Sequence, residues 1–131
     1  TGIEASGQLV DNLNHYFKEE KLERATTFHE DLFNLNRIIE LTEEGRSPRL
    51  VFLFQVIDAL ENFQRDYSKK LILEISKSSD FIVISLPLQS LGKGKKFTVS
   101  RSWLTDFLKE NFNILDDWSE NGERFICISK K

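Results

Sequence analysis

The residues with the clearest chemical potential are cationic side chains that follow a buried strand. Residues 81–96 read FIVISLPLQSLGKGKK, an apolar run that ends at a proline and opens into a loop rich in glycine and lysine. In an α/β sheet, ligands bind at the carboxyl ends of the strands. The pattern therefore predicts contact with an anion such as a nucleic-acid phosphate, and a solvated cluster without a ligand is the alternative. The cations concerned are Lys93, Lys95, Lys96 and Arg101.

The rest of the sequence offers no nucleophilic or metal-binding motif. The single cysteine, Cys127, alternates with isoleucines and is predicted to be an inert strand residue. His15 falls among polar neighbours on a helix, and His29 lies in a short strand with apolar neighbours. The two histidines lack cysteines or carboxylates at metal-ligand spacing, so we predict no metal site. No Ser/His/Asp or Cys/His arrangement has the character of a catalytic motif, so we assign no general base.

Composition narrows the class of protein. A length of 131 residues predicts one domain, 1–131, and 40% hydrophobic residues suffice for a core. The net charge of −3 means that polyanions must be attracted by a local patch. A single cysteine and the lack of a long apolar run predict a cytoplasmic protein without membrane contact. The chain begins TGIEAS and contains no methionine, from which we expect an N-terminal truncation.

Alternating strand and helix patterns predict a mostly parallel α/β sheet. Two apolar runs, 50–56 and 81–86, are typical of strands buried on both faces. An apolar stripe over 60–75 predicts one long helix, with Asp58 as its cap. Ser6 caps an earlier helix that runs to about residue 21, and Leu9, Leu13, Tyr16 and Phe17 recur at helical spacing on one of its faces. The phenylalanines are mostly expected in the core.

The remaining elements complete the order. A strand ends at residue 4, a second strand covers 25–29 and a short helix covers 32–39. A later helix begins near Ser100, and Asn-Gly at 121–122 predicts a hairpin between strands 112–118 and 124–129.

This pattern resembles the class I S-adenosylmethionine-dependent methyltransferases. Residues 50–61 (LVFLFQVIDALE) and 84–96 (ISLPLQSLGKGKK) are similar to one branch, the aminoglycoside-resistance-type 16S rRNA (guanine-N7) methyltransferases. The resemblance implies a Rossmann-like sheet with a C-terminal antiparallel hairpin. It also implies methylation of small-subunit rRNA in the ribosome, an antibiotic-resistance role and a monomer.

The resemblance also implies binding residues for S-adenosyl-L-methionine. Glu4 matches the acidic residue that accepts hydrogen bonds from the ribose hydroxyls, and Asp31 matches the one that meets the adenine amino group. Each carboxylate has a plainer alternative, because Glu4 could favour a helix dipole and Asp31 could cap the following segment. The full set implied for the cofactor is Glu4, Ala5, Asp31, Leu32, Phe54 and Gln55.

The loop after the fifth strand of the family would face RNA. The residues implied for that contact are Pro87, Gln89, Ser90, Lys93, Lys95, Lys96 and Arg101. Guanine N7 carries a free lone pair, so alignment of sulfur, methyl and nitrogen replaces a general base.

The sequence also departs from the family. Gln55 stands where the branch often has lysine, and Leu86 stands where it often has an aromatic residue. The family's first strand and its glycine-rich loop are missing, although that strand is central in the order 3-2-1-4-5-7-6. We therefore expect the second and fourth strands to pair directly or the sheet to stay split, and the isolated segment to be inactive. A class I methyltransferase of another substrate, and an inactive binding domain of the same fold, remain the alternative functions.

Overall fold

The computed structural model describes residues 1–88 and 101–131, which form two compact units, Thr1–Leu41 and Thr42–Lys131. The strands are β1 (Gly2–Glu4), β2 (Thr27–His29), β3 (Leu50–Phe54), β4 (Phe81–Pro87), β5 (Phe112–Glu120) and β6 (Glu123–Lys130). The helices are α1 (Gly7–Glu19), α2 (Leu35–Glu43), α3 (Ile57–Phe63), α4 (Tyr67–Ser76) and α5 (Ser102–Asn111). Among these helices, none combines the length and apolarity that a membrane span requires.

In the first unit, α1 connects two short parallel strands, β1 and β2. The hydroxyl of Ser6 accepts a hydrogen bond from the amide of Leu9, which confirms the predicted cap. The Asn14 side chain bonds both the N–H and the C=O of Thr27 at 2.9 Å, which ties α1 to β2. Along the predicted apolar stripe of α1, Phe17 is half-buried and Leu9, Leu13 and Tyr16 are exposed, whereas Val10 is buried.

The second unit is a four-stranded sheet in the order β3-β4-β6-β5. Strands β3 and β4 are parallel, and β6 lies antiparallel to both β4 and β5. The predicted hairpin is confirmed, since Asn121 and Gly122 have φ of 51° and 78°, as a two-residue turn with positive φ requires. The buried apolar side chains of this unit include Leu71, Ile75, Ile82, Ile84, Leu86, Leu104, Leu108, Ile126 and Ile128.

The predicted long helix is wrong, because the chain breaks between α3 and α4. Asp66 has φ of 63°, a left-handed conformation that no α-helix accommodates. The Glu61 carboxylate accepts hydrogen bonds from the amides of Asp66 at 2.8 Å and Ser68 at 3.1 Å. These bonds satisfy the first amides of α4, so the apolar stripe continues across two helices rather than one.

Strand β3 is not buried on both faces, contrary to the prediction. Leu50, Phe52 and Phe54 point to one face of the sheet and are 49%, 54% and 51% exposed. Strand β4 matches the prediction, with an unbroken run of buried residues from Ile82 to Leu86. The expectation that the phenylalanines are mostly core residues is also wrong; exposed ones in the described ranges include Phe33, Phe52, Phe54, Phe63 and Phe81.

The described strands form two separate sheets, one with β1 and β2 and one with the other four strands. Direct pairing of the family's second and fourth strands, one of the two expected outcomes, is not observed among the described residues. The neighbours within each sheet agree with the family order 3-2 and 4-5-7-6. Strand β1 pairs only with β2, and β3 pairs only with β4, so the other edge of each strand has no strand partner among the described residues.

Candidate functional site

Glu4 lies at the carboxyl end of β1, where the resemblance requires it. Its backbone carbonyl accepts a hydrogen bond from the amide of Glu30 at 3.1 Å, which fixes the ends of β1 and β2 side by side. Its side-chain Oε1 accepts a bond from the Ser6 amide at 2.9 Å. One such bond uses only part of the accepting capacity of a carboxylate, so the half-buried group retains capacity for a ligand hydroxyl.

Asp31 lies just beyond the carboxyl end of β2. Its Oδ1 accepts a hydrogen bond from the Phe33 amide at 2.9 Å, and its backbone carbonyl accepts one from the Asn34 amide at 2.9 Å. These bonds are the turn-and-cap contacts of the plainer alternative. The carboxylate is exposed, and Leu32 beside it is half-buried, so a planar ring could contact both.

His29 orders the loop between β1 and α1. Its Nε2 lies 2.9 Å from the carbonyl of Ala5, and Nε2 donates because a carbonyl only accepts. A Cβ at Gly7 would lie 3.3 Å from Cε1 of the same ring, so a small residue suits this position. The histidine therefore supports the backbone next to Glu4.

In the second unit, Gln55 stands at the carboxyl end of β3 in an uncommon conformation, with φ of 55°. Its amide donates to the carbonyl of Ser85 at 3.2 Å and to the buried Ser85 hydroxyl at 3.1 Å. Its side-chain amide donates to Glu123 at 3.2 Å. These contacts hold the turn after Phe54, whose ring remains exposed at the same end of the sheet.

Arg101 and Asp58 form an ion pair at the carboxyl end of β4. Nη2 and Nε of Arg101 donate to the two carboxylate oxygens of Asp58 at 2.6 and 3.2 Å, and Nη1 donates to the Pro87 carbonyl at 2.8 Å. The Arg101 side chain is only 10% exposed. Asp58 lies inside the first turn of α3 and makes no side-chain cap, so its predicted capping role is wrong.

The ion pair involves Arg101, which is one of the residues predicted to contact RNA. The three guanidinium nitrogens of Arg101 donate to Asp58 and to the Pro87 carbonyl, which ties the start of α5 to the end of β4 and the first turn of α3. Sequence reasoning missed this contact because Asp58 and Arg101 are far apart in the chain and have no shared local motif. The other predicted RNA-contacting residues except Pro87 lie outside the described residues: Gln89, Ser90, Lys93, Lys95 and Lys96.

Burial and hydrogen bonding shift the pKa of a few described side chains. Burial, with a smaller effect of the nearby Asp116 carboxylate, raises the pKa of the Cys127 thiol, which makes it less reactive. A hydrogen bond from Arg124 lowers the pKa of Asp117, and both groups lie on the terminal hairpin. Within residues 1–88 and 101–131, no cluster of histidine, cysteine and carboxylate side chains is suited to a metal.

Comparison with known proteins identifies the fold. No family model and no curated protein matches the sequence. Solved structures do match: the chain has the fold of the α/β methyltransferases, with a mostly parallel arrangement and a C-terminal antiparallel hairpin.

Two of these structures are rRNA methyltransferases. An rRNA methylase from Escherichia coli aligns at a TM-score of 0.68 with 16% identity, over 99% of this chain and 48% of the other. The 16S rRNA methyltransferase RmtF, solved with S-adenosyl-L-homocysteine, aligns at 0.54 with 14% identity, over 81% of this chain and 38% of the other.

A third structure belongs to a different kind of enzyme. WbdD, a bifunctional kinase-methyltransferase, aligns at a TM-score of 0.70 with 12% identity, over 98% of this chain and 30% of the other. This chain therefore spans less than half the length of these three structural relatives. At sequence identities of 12% to 16%, these comparisons show the fold alone.

Proposed function

We propose that this chain is part of an S-adenosyl-L-methionine-dependent methyltransferase that modifies guanine N7 in small-subunit rRNA. The observation that carries the proposal is the agreement between two independent features. The described strands reproduce the neighbour order of the methyltransferase sheet, and residues 84–96 resemble the branch that acts on rRNA. The similarity in fold to rRNA methyltransferases supports the same conclusion.

Glu4 and Asp31 are the proposed cofactor ligands in the first unit. Two carboxylates follow adjacent parallel strands, which is where α/β sheets bind ligands. In the proposal, Glu4 accepts hydrogen bonds from the vicinal ribose hydroxyls and Asp31 accepts one from the adenine amino group. The exposed Ala5 and half-buried Leu32 add apolar contact.

Phe54 and Gln55 are the proposed contacts of the second unit with the methionine end of the cofactor. The cofactor supplies an electrophilic methyl group on a sulfonium, and guanine N7 supplies the lone pair that attacks it. No proton has to leave N7, so the protein's task is alignment and exclusion of water. The left-handed turn at Gln55, held by Ser85 and Glu123, provides a fixed backbone for that purpose.

Lys93, Lys95 and Lys96 are the proposed phosphate contacts, together with Pro87, Gln89 and Ser90. A net charge of −3 makes a local cationic loop necessary for binding RNA. We expect Arg101 to contribute by fixing Pro87 and the start of α5, which flank this loop.

Transfer of labelled methyl groups tests the proposed activity. The full-length product of the gene that encodes this chain is incubated with radiolabelled S-adenosyl-L-methionine and small ribosomal subunits, with total cell protein and with a small-molecule extract in separate reactions. Label in the rRNA is the expected result. Label only in protein or small molecules would replace the RNA substrate, and no label with any substrate would favour an inactive binding domain.

Charge reversal tests the cationic loop. Replacement of Lys93, Lys95 and Lys96 by glutamate should weaken binding to an rRNA fragment and reduce the salt slope by about 2 to 3, because each phosphate contact contributes about 0.7 to 0.9. Fluorescence anisotropy over a range of salt concentrations measures both quantities. The matched control reverses three exposed lysines on α4, its C-cap and α5: Lys70, Lys77 and Lys109. An equal effect of the control, or no effect of the loop variant, contradicts the assignment.

A methyltransferase of another substrate is the second candidate, and the similarity to WbdD favours it. The two candidate functions use the same cofactor site, and they differ in whether the cationic loop binds RNA. The segment alone is expected to bind S-adenosyl-L-methionine weakly, because the strand between β1 and β3 in the family order has no counterpart among the described residues. Calorimetry that gives micromolar affinity for the 131-residue chain would contradict this expectation.

A further inference from the structure

Arg101 connects the two flanks of the cationic loop. The loop carries the lysines of the proposed function: Lys93, Lys95 and Lys96. Leu88 is the last described residue before the loop, and Arg101 is the first described residue after it. Nη1 of Arg101 donates to the Pro87 carbonyl at 2.8 Å, so the side chain that follows the loop holds the backbone that precedes it. The Leu88 amide donates to the Gly122 carbonyl at 2.8 Å, which attaches the same backbone to the terminal hairpin.

The backbone of Arg101 is fixed as well as its side chain. Its carbonyl accepts hydrogen bonds from the amides of Leu104 and Thr105, each at 3.1 Å, which begins the first turn of α5. The Thr105 hydroxyl donates to the same carbonyl at 3.3 Å. Both described flanks of the cationic loop are therefore held by hydrogen bonds, and Arg101 takes part in holding both.

Asp58 determines where the guanidinium of Arg101 lies. Its two carboxylate oxygens accept hydrogen bonds from Nε at 3.2 Å and from Nη2 at 2.6 Å. This bidentate geometry fixes the orientation of a planar guanidinium as well as its position. Asp58 belongs to the first turn of α3, so a helix holds the carboxylate in place. Without the carboxylate, the guanidinium would be free to leave the Pro87 carbonyl, and the two flanks would lose their connection.

We propose that Asp58 is a positioning residue for RNA binding, which acts through Arg101 and does not itself contact RNA. The inference rests on the proposed function, because it takes the cationic loop as the part that binds phosphates. Asp58 neutralises the charge of Arg101, whose side chain is 10% exposed, so Arg101 adds little attraction for a polyanion. Its role is to present the loop, since flanks that are fixed before binding reduce the entropy lost when the complex forms.

The proposal reverses the usual sign of a charge effect. RNA is a polyanion, so the loss of a carboxylate beside an RNA-binding segment should by electrostatics alone strengthen binding. Asp58→Asn should instead weaken it, because the bidentate pair is lost and the flanks are no longer held together. Fixing the backbone of one further residue on binding lowers affinity by about fivefold to thirtyfold, so we expect a loss of at least about fivefold.

Fluorescence anisotropy of the full-length gene product with an rRNA fragment, over a range of salt concentrations, tests this sign. Glu120→Gln is the matched control, since it removes an exposed carboxylate from the end of β5 and should bind equally tightly or more tightly. Ile75→Val controls for lost stability, because it removes a buried methyl group from α4 without altering the ion pair and should leave the affinity unchanged. Circular dichroism checks that every variant is folded at the temperature of the assay.

Arg101→Lys separates a positioning role from a phosphate contact. Lysine keeps the positive charge and binds phosphates, but it lacks the planar fork that pairs with both oxygens of Asp58. A positioning role predicts a loss of affinity about as large as that of Asp58→Asn, and no further loss when the two changes are combined. The salt slope should stay unchanged in Arg101→Ala, whereas loss of a phosphate contact would reduce it by about 0.7 to 0.9 and contradict the proposal.

Hydrogen exchange measures how firmly the flank is held when no RNA is present. The Leu88 amide, which donates to Gly122, should exchange at least about tenfold faster in Asp58→Asn than in the unmodified protein. Equal exchange would overturn the proposal, and so would RNA binding by Asp58→Asn that is as tight as that of the unmodified protein or tighter; both results leave the assignment of the cationic loop intact. An unmodified protein that does not bind the rRNA fragment would contradict the proposed function, and the positioning role with it.

Discussion

Removal of the Asp58 carboxylate should destabilise the second unit by about 2 kcal/mol. The variant Asp58→Ala leaves the guanidinium of Arg101 without the two oxygens that accept its hydrogen bonds at 2.6 and 3.2 Å. The Arg101 side chain is 10% exposed, so water replaces the lost partner poorly.

The magnitude follows from the burial of the two partners. Breaking a fully buried ion pair costs about 3–5 kcal/mol. Asp58 is itself 43% exposed, and the Pro87 carbonyl still accepts one bond from Arg101, so part of that cost is avoided. The estimate is therefore about 2 kcal/mol, well above the value for a surface pair, which is usually below about 1 kcal/mol.

Urea denaturation followed by tryptophan fluorescence measures this loss. Trp103 and Trp118 both lie in the unit Thr42–Lys131, so the signal reports on the unit that contains the ion pair. With a urea dependence of about 1–3 kcal/mol per molar, the midpoint should fall by about 0.7 to 2 M. Lys77→Ala, which removes an exposed ion pair with Glu74 in the same unit, is the control and should change the free energy of unfolding by less than about 0.5 kcal/mol.

A double-mutant cycle separates the pair from its surroundings. If the two side chains act together, Asp58→Ala should cost little in a chain that already carries Arg101→Ala, with a coupling free energy above about 1 kcal/mol. A loss below 0.5 kcal/mol for Asp58→Ala alone, or additive effects of the two changes, would refute the reasoning.

Three further predictions concern the same unit and use the same denaturation assay. Asp117→Asn should cost about 0.5 kcal/mol at pH 7 and progressively less as the solution is acidified. The Arg124 hydrogen bond lowers the pKa of Asp117 below its usual value near 4, so the stabilisation is present above that value and is lost as the pH falls through the lowered pKa. A difference that stays constant with pH would contradict this cause. Gly122→Ala should cost about 1 kcal/mol through its φ of 78° alone, since no atom within 4 Å would contact the new methyl group, and an unchanged midpoint would contradict the turn assignment. Leu104→Ala should cost about 2–5 kcal/mol because the side chain is fully buried, and a cost below 1 kcal/mol would mean that α5 is not packed as described.

Local signals in the sequence were sufficient for much of the fold. The Asn121-Gly122 turn and the buried run from Ile82 to Leu86 depend on neighbouring residues, and both are observed as predicted. The break at Asp66 was missed because the apolar stripe of α3 resumes in α4 at almost the same phase. Periodicity alone does not reveal a left-handed residue between two helices.

Burial across the sheet could not be predicted in the same way. An apolar strand pattern indicates what a strand can bury, while the actual burial depends on which elements lie over it. Strand β3 has the composition of a central strand, yet its residues Phe52 and Phe54 are exposed in the structure.

The candidate site was accessible from sequence only through the family resemblance. From composition and spacing, Glu4 and Asp31 were ordinary helix-flanking carboxylates, and the structure gives each of them such local bonds. The structure adds their position at the carboxyl ends of adjacent parallel strands. The Arg101–Asp58 pair carried no local signal, because it joins residues 43 positions apart in the chain.

Mapping of the modified nucleotide tests the central proposal most directly. Small-subunit rRNA is incubated with the full-length gene product and S-adenosyl-L-methionine, treated with chemistry that cleaves at 7-methylguanine, and analysed by primer extension. We predict one new stop at a guanine, dependent on both the protein and the cofactor. Complete read-through in rRNA that has been exposed to active protein would contradict methylation at guanine N7.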